Sequence, residues 1–479
     1  MRRFLLIFCL LFFSSRLFAQ TFSQYNTGTL YDSFENPAQR AFIPDSSRQF
    51  AFNMFVPNID ANFYLTGDAQ QTLKNRYFTN SYKNNNLQIG DGNHFNYLNG
   101  NSNAYAIMFK VFTSFNGDQE VGFFAQDKAE VRGVFTDESI ALFNGSASFP
   151  NNSYSNVFNS RYQYQVYNEV GFTYREQVTK EFALGIKLAY VSGYYNGQVQ
   201  IDQSNIVFDK AADTASLSLA GKNRKVTLSN KLPFGNPGMS VSIGTMLKTP
   251  DGFIIQGNIK DLGFIHWDRF TATYNFSGTN TIYDITSPER ENNVYDAFNN
   301  TATTNKSLAH YTTPIDGHAE LSLSKLYWVD DDYTVKYSPT LIASKELFYN
   351  GFTAAIVNPV TYKNYTVTLT GAYDDMKLFD LGLQFMVKSA NAEFFIGSDR
   401  VPQSVNLLSS QLKSQSAINQ TGAFSGGDFF IGFSMKFGDV IEHPMNASII
   451  PMDEQKGFIG RMWDKIFNPN AGVIKDSDQ

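Results

Sequence analysis

Two neighbouring runs of strict alternation constrain this chain more than anything else in it. Tyr365, Val367, Leu369, Gly371 and Tyr373 alternate with Thr366, Thr368, Thr370 and Ala372. After the turn-like residues 374–378, Phe379, Leu381, Leu383, Phe385 and Val387 alternate with Asp380, Gly382, Gln384 and Met386. Successive side chains on a strand point to opposite faces, so each run has one apolar and one polar face. Each run is about as long as a tilted strand needs to cross a bilayer, roughly 9–11 residues. Tyr365 and Tyr373 stand at the two ends of the apolar face, where a membrane barrel carries its aromatic girdles. A soluble sandwich also alternates, but it has no reason to hold this length with these end residues.

A second hairpin repeats the pattern. Tyr162, Tyr164, Val166, Val170, Phe172 and Tyr174 share one face, and Gln163, Gln165, Glu169, Thr173 and Arg175 the other. Phe182, Leu184, Ile186, Leu188 and Tyr190 follow, with Ala183, Gly185, Lys187 and Ala189 opposite. Pairing Tyr174 with Phe182 would set the misfit Asn168 across from Leu188, near the outer rim, where a polar group costs less. Runs at 239–248 and 429–437 alternate likewise, and weaker strands are expected at 104–115, 119–135, 252–262, 318–326, 333–345, 351–358 and 391–398. In a barrel the polar faces line the lumen, which makes Glu169, Arg175, Lys187, Thr366, Thr368, Thr370 and Gln384 the expected lumen residues.

Composition agrees. Aromatic residues are 15% of the chain, yet the mean hydropathy is −0.27, as alternation over many strands produces. Residues 1–19 read as a cleaved signal peptide: Arg2 and Arg3, an apolar run Phe4–Phe13, and Ala19 before Gln20. The sole cysteine, Cys9, lies in that run, so the mature chain would have neither disulfides nor a thiolate site. Losing Arg2, Arg3 and Arg16 with the signal takes the formal charge from −6 to −9, which argues against a nucleic-acid partner. The mature chain has no apolar stretch of the ~18 residues that mark a spanning helix. An exported chain that enters lipid without such helices has to close a barrel.

Connections sort by length. Short ones carry turn chemistry, as at Asn116-Gly117-Asp118, Thr249-Pro250-Asp251-Gly252 and Asp330-Asp331-Asp332. Long ones, 66–103, 136–160, 268–317 and 399–427, are polar, and 195–238 reads as one large excursion carrying a strand pair. Outer-membrane barrels have short periplasmic turns and long outer loops. Parity then gives an all-β fold, a closed antiparallel transmembrane barrel of about fourteen strands, with both ends of the chain in the periplasm. In the first strand Phe50, Phe52, Met54 and Val56 set one phase and Ile59, Ala61, Phe63 and Leu65 the other. A bulge at Pro57, either a lateral kink or a bend at entry, would produce that switch. After residue 438 the tail holds a short amphipathic helix in which Phe458, Met462 and Ile466 share a face with Trp463 close by. It suits the membrane surface, a partner, or the barrel rim.

Particular residues suggest a family. Asn36-Pro37-Ala38, ahead of the first strand, resembles the motif in the N-terminal hatch of FadL-like long-chain fatty-acid transporter barrels, and PorV-like and PorP-like barrels of Bacteroidota open similarly. Lys260-Asp261-Leu262-Gly263-Phe264-Ile265-His266-Trp267, Phe395-Ile396-Gly397-Ser398-Asp399 and the closing Lys436-Phe437-Gly438 resemble a Bacteroidota outer-membrane barrel family of unknown function. The resemblance covers roughly residues 25–438 and implies a hatch at 20–47, a barrel at 48–438 and a periplasmic tail at 439–479. It departs from some relatives in lacking a C-terminal peptidoglycan-binding domain.

Catalytic chemistry is not visible. His94, His266, His310, His318 and His443 stand in no spacing that suggests a base beside a nucleophile. His266 beside Trp267 reads as an interface residue at a strand end. Asp330-Asp331-Asp332 lacks the spaced oxygens of a calcium loop, and no metal, cofactor or enzymatic activity is expected. The expected function is a transport or permeation barrel in the outer membrane of a Bacteroidota-type envelope, in contact with lipid. The alternative is a scaffold that holds other envelope proteins of a secretion or assembly complex through its outer loops or tail.

Overall fold

A computed structural model describes residues 22–40, 48–82, 86–113, 118–226, 235–268, 271–375, 378–412, 426–440 and 457–467. The expected signal peptide, residues 41–47, His443, Lys436's neighbours beyond 440 and most of the tail lie outside these. Fourteen antiparallel strands close a barrel.

The chain opens with α1 (Leu30–Glu35), which lies in the lumen, and enters the wall as β1, in two parts (Arg48–Phe52 and Asn58–Thr66). There follow α2 (Gln70–Thr79), β2 (Phe95–Phe112), β3 (Gln119–Thr136), α3 (Asp137–Ala141), β4 (Arg161–Gln177), β5 (Phe182–Asp209), β6 (Thr214–Val226), β7 (Pro237–Lys248), β8 (Phe253–Trp267), β9 (Ala272–Tyr283) and α4 (Arg290–Ala302). Next come β10 (Tyr311–Pro314 and His318–Lys325), β11 (Val335–Tyr337 and Thr340–Glu346), β12 (Phe352–Tyr362), β13 (Tyr365–Asp374), β14 (Phe379–Lys388), β15 (Ala392–Ser398), α5 (Val401–Leu412), β16 (Gly426–Val440) and α6 (Phe458–Phe467). Closure comes from β1, whose two parts both pair with β16 and with β2. Among the described residues, β6 and β9 stand outside the wall; they pair with each other and, through β6, with the upper half of β5, and the short strands Ser153–Ser155 and Lys306–Leu308 add to β5 and β9.

The wall is inside-out relative to a soluble protein. On β13 and β14 the outward Tyr365, Leu369, Tyr373 and Phe379 are each more than half exposed, while Thr366, Thr368, Thr370 and Gln384 are buried. The two strands pair as the alternation expects, Tyr365 across from Val387 and Tyr373 across from Phe379. With apolar side chains facing out all round the wall and polar ones in, the exposed surface matches hydrocarbon, and closure leaves no backbone edge unpaired in lipid.

Three expectations change. The β4–β5 hairpin pairs Tyr174 with Ile186 and Asn168 with Ser192, because β4 runs on to Gln177 and the turn is made at 178–181, where Val178 and Thr179 N–H donate to the Phe182 carbonyl. The loop placed at 66–103 gives up residues 95–103 to β2, where Asn96, Asn99 and Asn103 donate to Asp137, Tyr64 and Glu35. Asparagine is a poor strand former, but here its amide meets a polar interior. The long loops are not merely polar. They enclose an apolar core of their own, built around Phe149, Phe208, Leu217, Phe276, Ile282 and Val294 from β5, β6, β9, α4 and the 142–158 segment. We call this unit the cap.

The phase switch in β1 is present, with a larger cause than one inserted residue. Residues 53–57 leave the ladder, with Met54 and Phe55 in the left-handed region at φ 54° and 58°. Asn53 fills the gap: its Nδ2 donates to the Tyr105 and Ala106 carbonyls and its Oδ1 accepts from Met108 N–H.

Candidate functional site: a plugged, charged lumen

The hatch forms because its short polar residues cap and turn it. The Thr29 hydroxyl accepts from Asp32 N–H and starts α1. Leu30, Tyr31 and Phe34 then fall on one side and pack with Tyr105, Phe124, Phe395 and Phe430 of the wall. Such burial contributes about 1.5–3 kcal/mol per large side chain. Asn36, Pro37 and Ala38 are brought against a smooth patch, since Gly185 and Gly244 are paired neighbours on β5 and β7. A Cβ on Gly185 would collide with the Pro37 carbonyl, and one on Gly244 with the Asn36 amide.

Polar contacts surround that apolar anchor. Wall carboxylates take hatch N–H groups: Asp399 from Phe22, 2.7 Å, and Glu393 from Leu30. Wall cations donate to hatch carbonyls: Lys388 to Thr27 and Gly28, Lys110 to Ser33, 2.8 Å, and Arg175 to Ala38, 2.8 Å. Ser23 meets Thr370 at 2.9 Å and Gln24 meets Gln384. Glu35 is the hub. It accepts from Tyr105 Oη at 2.8 Å and Asn103 at 3.1 Å, and pairs with Lys260 at 2.6 Å. Burial pushes the Glu35 carboxyl up, but Lys260, Lys187 and Lys128 outweigh it and hold it down at about 2. Asp32 goes the other way: burial pushes it up to about 7, despite the Gly28 N–H and Lys388.

Above Glu35 the lumen narrows around a cavity of about 60 Å³ lined by Asp60, Lys128, Lys260, Asp261, Asp316 and His318 among others. That volume holds a few waters and is well below the ~150 Å³ of a cavity that takes benzene. The charges are matched across the barrel. Lys128 on β3 meets Asp261 on β8 at 2.5 Å and Glu169 on β4 at 3.8 Å. A bulge makes this possible: β8 slips register against β7 between Ile259 and Leu262, and Asp261 takes φ 53°. The two adjacent side chains, Lys260 and Asp261, can then both enter the lumen. Nearer the long loops, Arg132 on β3 bridges to Asp316 at 2.8 Å and to Glu346 on β11 at 2.7 Å, with its guanidinium 4.2 Å from the Tyr349 ring centroid. Asp316 also meets His318 at 3.3 Å.

Glu169, Arg175, Lys187, Thr366, Thr368, Thr370 and Gln384 all lie buried in this interior. Arg175, Thr370 and Gln384 touch the hatch directly, and Lys187 donates to Tyr105 Oη at 2.9 Å. Not singled out from the sequence were Glu35, in the hatch helix, Asp316, in the break of β10, and Asp60, Lys128, Arg132 and Glu346, on strands where no face was assigned to them. The charged pair inside the Lys260-Asp261 motif was the available signal. Trp267 is fully buried with Tyr167, Val191, Ile265 and Ile315, and its indole donates to Thr313 at 2.8 Å. His266 beside it is exposed.

The tail helix α6 docks on the outside of the wall at the short-turn end. Glu176 accepts from Ile459 and Gly460 N–H at 2.9 and 2.7 Å, capping the helix, and Trp463 packs on Phe182. Phe458 and Met462 stay 66% and 48% exposed on its far side. Ile466 lies in the helix.

This is a transmembrane β-barrel with its own N-terminal segment folded into a charged lumen. Residues 41–399 match the family of unknown function DUF5723, and the chain belongs to that family. No curated protein matches the sequence. Similar solved structures include the Ralstonia pickettii toluene transporter TbuX, 11% identical over 85% of this chain and 93% of that one, TM-score 0.40. The Pseudomonas putida toluene transporter TodX is 8% identical over 85% and 94%, TM-score 0.41. A Pseudomonas aeruginosa FadL homologue is 11% identical over 87% and 96%, TM-score 0.39.

Proposed function

We propose that the protein is a plugged permeation barrel of the outer membrane in a Bacteroidota-type envelope, admitting small polar or charged solutes when the hatch yields. The supporting observation is that a separate, noncovalently held segment fills a lumen lined with paired charges. A barrel that served only as a membrane anchor would have no use for buried ions, which cost several kcal/mol each to desolvate unless matched. Toluene, in the names of two of the similar structures, calls for an apolar path, and this lumen offers carboxylates and ammonium groups instead. In this reading the signal peptide is cleaved, the short turns, hatch entry and α6 face the periplasm, the cap faces outward, and no catalysis is involved. The scaffold alternative has weaker support, because the long loops spend their apolar residues on their own core.

The mature chain would be cysteine-free, so the hatch can be latched cleanly. Ser23 and Thr370 hydroxyls lie 2.9 Å apart, close enough for a Ser23→Cys/Thr370→Cys disulfide. In proteoliposome swelling with an amino acid and a pentose, the reduced latch should admit solute and the oxidised latch should not. If neither the reduced latch nor the barrel lacking residues 22–40 admits solute, the permeation reading fails and the scaffold stands.

A further inference from the structure

At the long-loop mouth, Asp68, His94 and Asp137 come together from three separate segments: the exit of β1, the entry to β2 and the first turn of α3. One ligand-capable atom from each lies within 4.8 Å of the others, and His94 Nδ1 is 3.9 Å from Asp68 Oδ2. The positions are set by backbone and amide contacts. Asp137 N–H donates to the His94 carbonyl at 3.0 Å. Gln88 spans the two carboxylates, its N–H donating to Asp137 Oδ2 at 2.8 Å and its Nε2 to Asp68 Oδ2 at 3.2 Å. Asn96 donates to Asp137 Oδ1 at 2.6 Å and accepts from Ala69 N–H at 2.8 Å, fixing the loop that carries Asp68.

The electrostatics point the same way. The Asp68 and Asp137 carboxylates face one another here, and Glu138 follows Asp137 directly along the chain. Among the described residues, the one basic side chain that pairs with Asp68 or Asp137 is His94. Two carboxylates and an imidazole nitrogen form a mixed oxygen–nitrogen set, which suits borderline divalent ions more than calcium. Ligands bonded at about 2.0–2.1 Å around a tetrahedral ion lie roughly 3.4 Å apart. Small χ rotations of the half-exposed Asp68 and His94 would bring the set to that spacing.

We propose that Asp68, His94 and Asp137 bind one divalent transition-metal ion of the zinc class, with water completing its shell, and that the ion ties residues 67–94 to the top of β3. The site does not depend on the permeation reading. It was hidden from the sequence because its ligands are far apart along the chain and meet only where the ends of β1, β2 and β3 pair.

The test is zinc titration by calorimetry on the purified mature protein carrying no histidine tag. One ion per chain is expected, with affinity falling about tenfold or more in Asp68→Asn and in His94→Ala. Those side chains are 41% and 39% exposed, and unchanged heat-modifiability on gels would confirm that both variants fold. His266 and His310, whose ring centroids lie 5.5 Å apart, are the rival site, and His266→Ala/His310→Ala should leave the binding unchanged. Loss in that variant alone would overturn the proposal. So would unaltered zinc affinity in His94→Ala, absence of saturable binding in the wild type, or calcium binding as tight as zinc.

Discussion

The β13–β14 hairpin and the arc from β3 to β8 are both membrane wall, and they differ in nearly everything else. β13 and β14 are regular strands whose inward side chains at mid-strand are threonine, glycine and glutamine, with Asp374, Asp380 and Lys388 only at the strand ends and no register slip between them. β3, β4, β5 and β8 are longer, and register slips interrupt β4 against β5, β5 against β6, and β7 against β8. They carry Lys128, Arg132, Glu169, Arg175, Lys187, Lys260 and Asp261 inward. The first region holds the start of the hatch, Ser23 to Gly28, mainly through uncharged Thr370 and Gln384 and through Lys388 at the strand end. The second holds its end, Glu35 to Ala38, matches charges across the lumen and rises into the cap. Regular strands suffice to dock the plug, and departures from regularity mark where charges are matched across the lumen.

The largest expected contrast comes from removing one interior polar side chain on each side. Lys260→Ala leaves Glu35 and Glu320 buried without their cation and should cost about 3–5 kcal/mol, whereas Thr368→Ala in β13 should cost about 1 kcal/mol or less. Urea unfolding in detergent would measure both, and equal losses would dissolve the distinction. Next come the glycines. Gly185→Leu has no room beside Pro37 and should cost about 1–3 kcal/mol, while Gly371→Ala, with its nearest neighbour at 3.6 Å, should be nearly neutral. Proteolysis of the hatch in Gly185→Leu but not in Gly371→Ala would locate the cost in hatch docking.

A smaller effect follows from Asp32. Docking raises its carboxyl from 3.8 to about 7, so between those values the docked hatch holds a proton that the undocked hatch has released. Docking should therefore weaken as pH rises from about 4 to 7 and be level above that. Glu35, lowered from 4.5 to about 2, acts in the opposite sense, losing its contribution only as pH falls below about 4.5. Protease accessibility of the hatch across pH 5–8 should rise in the wild type and be flat in Asp32→Asn. The smallest effect should come from Phe458→Asp on α6, under about 1 kcal/mol of barrel stability, with its readout in lost quenching of Trp463 by brominated lipid against a Trp463→Phe blank.

Much of the wall was legible because alternation is a local signal. Tyr365 to Val387 could be read in phase and register from the residues alone, since the connecting loop is short and both strands are even. The β4–β5 register was misread because Glu176 and Gln177 look like turn residues, and only the helix α6 resting on Glu176 shows why a carboxylate belongs on the outer face there. The cap core was missed because Phe149, Phe208, Phe276 and Val294 are scattered among Asn, Ser and Thr, and their meeting depends on β5 rising far above the bilayer. The site was half legible. Asn36-Pro37-Ala38 and Lys260-Asp261 were noticed as motifs, but their partners Gly185, Gly244 and Lys128 lie on other strands and Glu35 in the hatch helix, and cross-lumen pairing leaves no trace in spacing.

The most direct test is single-channel conductance in a planar bilayer of the barrel lacking residues 22–40, beside the intact protein. With the hatch gone, the channel should stand open for most of the record, whereas the intact protein should open only briefly as its hatch yields. A hatchless barrel that folds and inserts yet opens no more often than the intact protein would contradict the claim that the hatch is what closes this lumen.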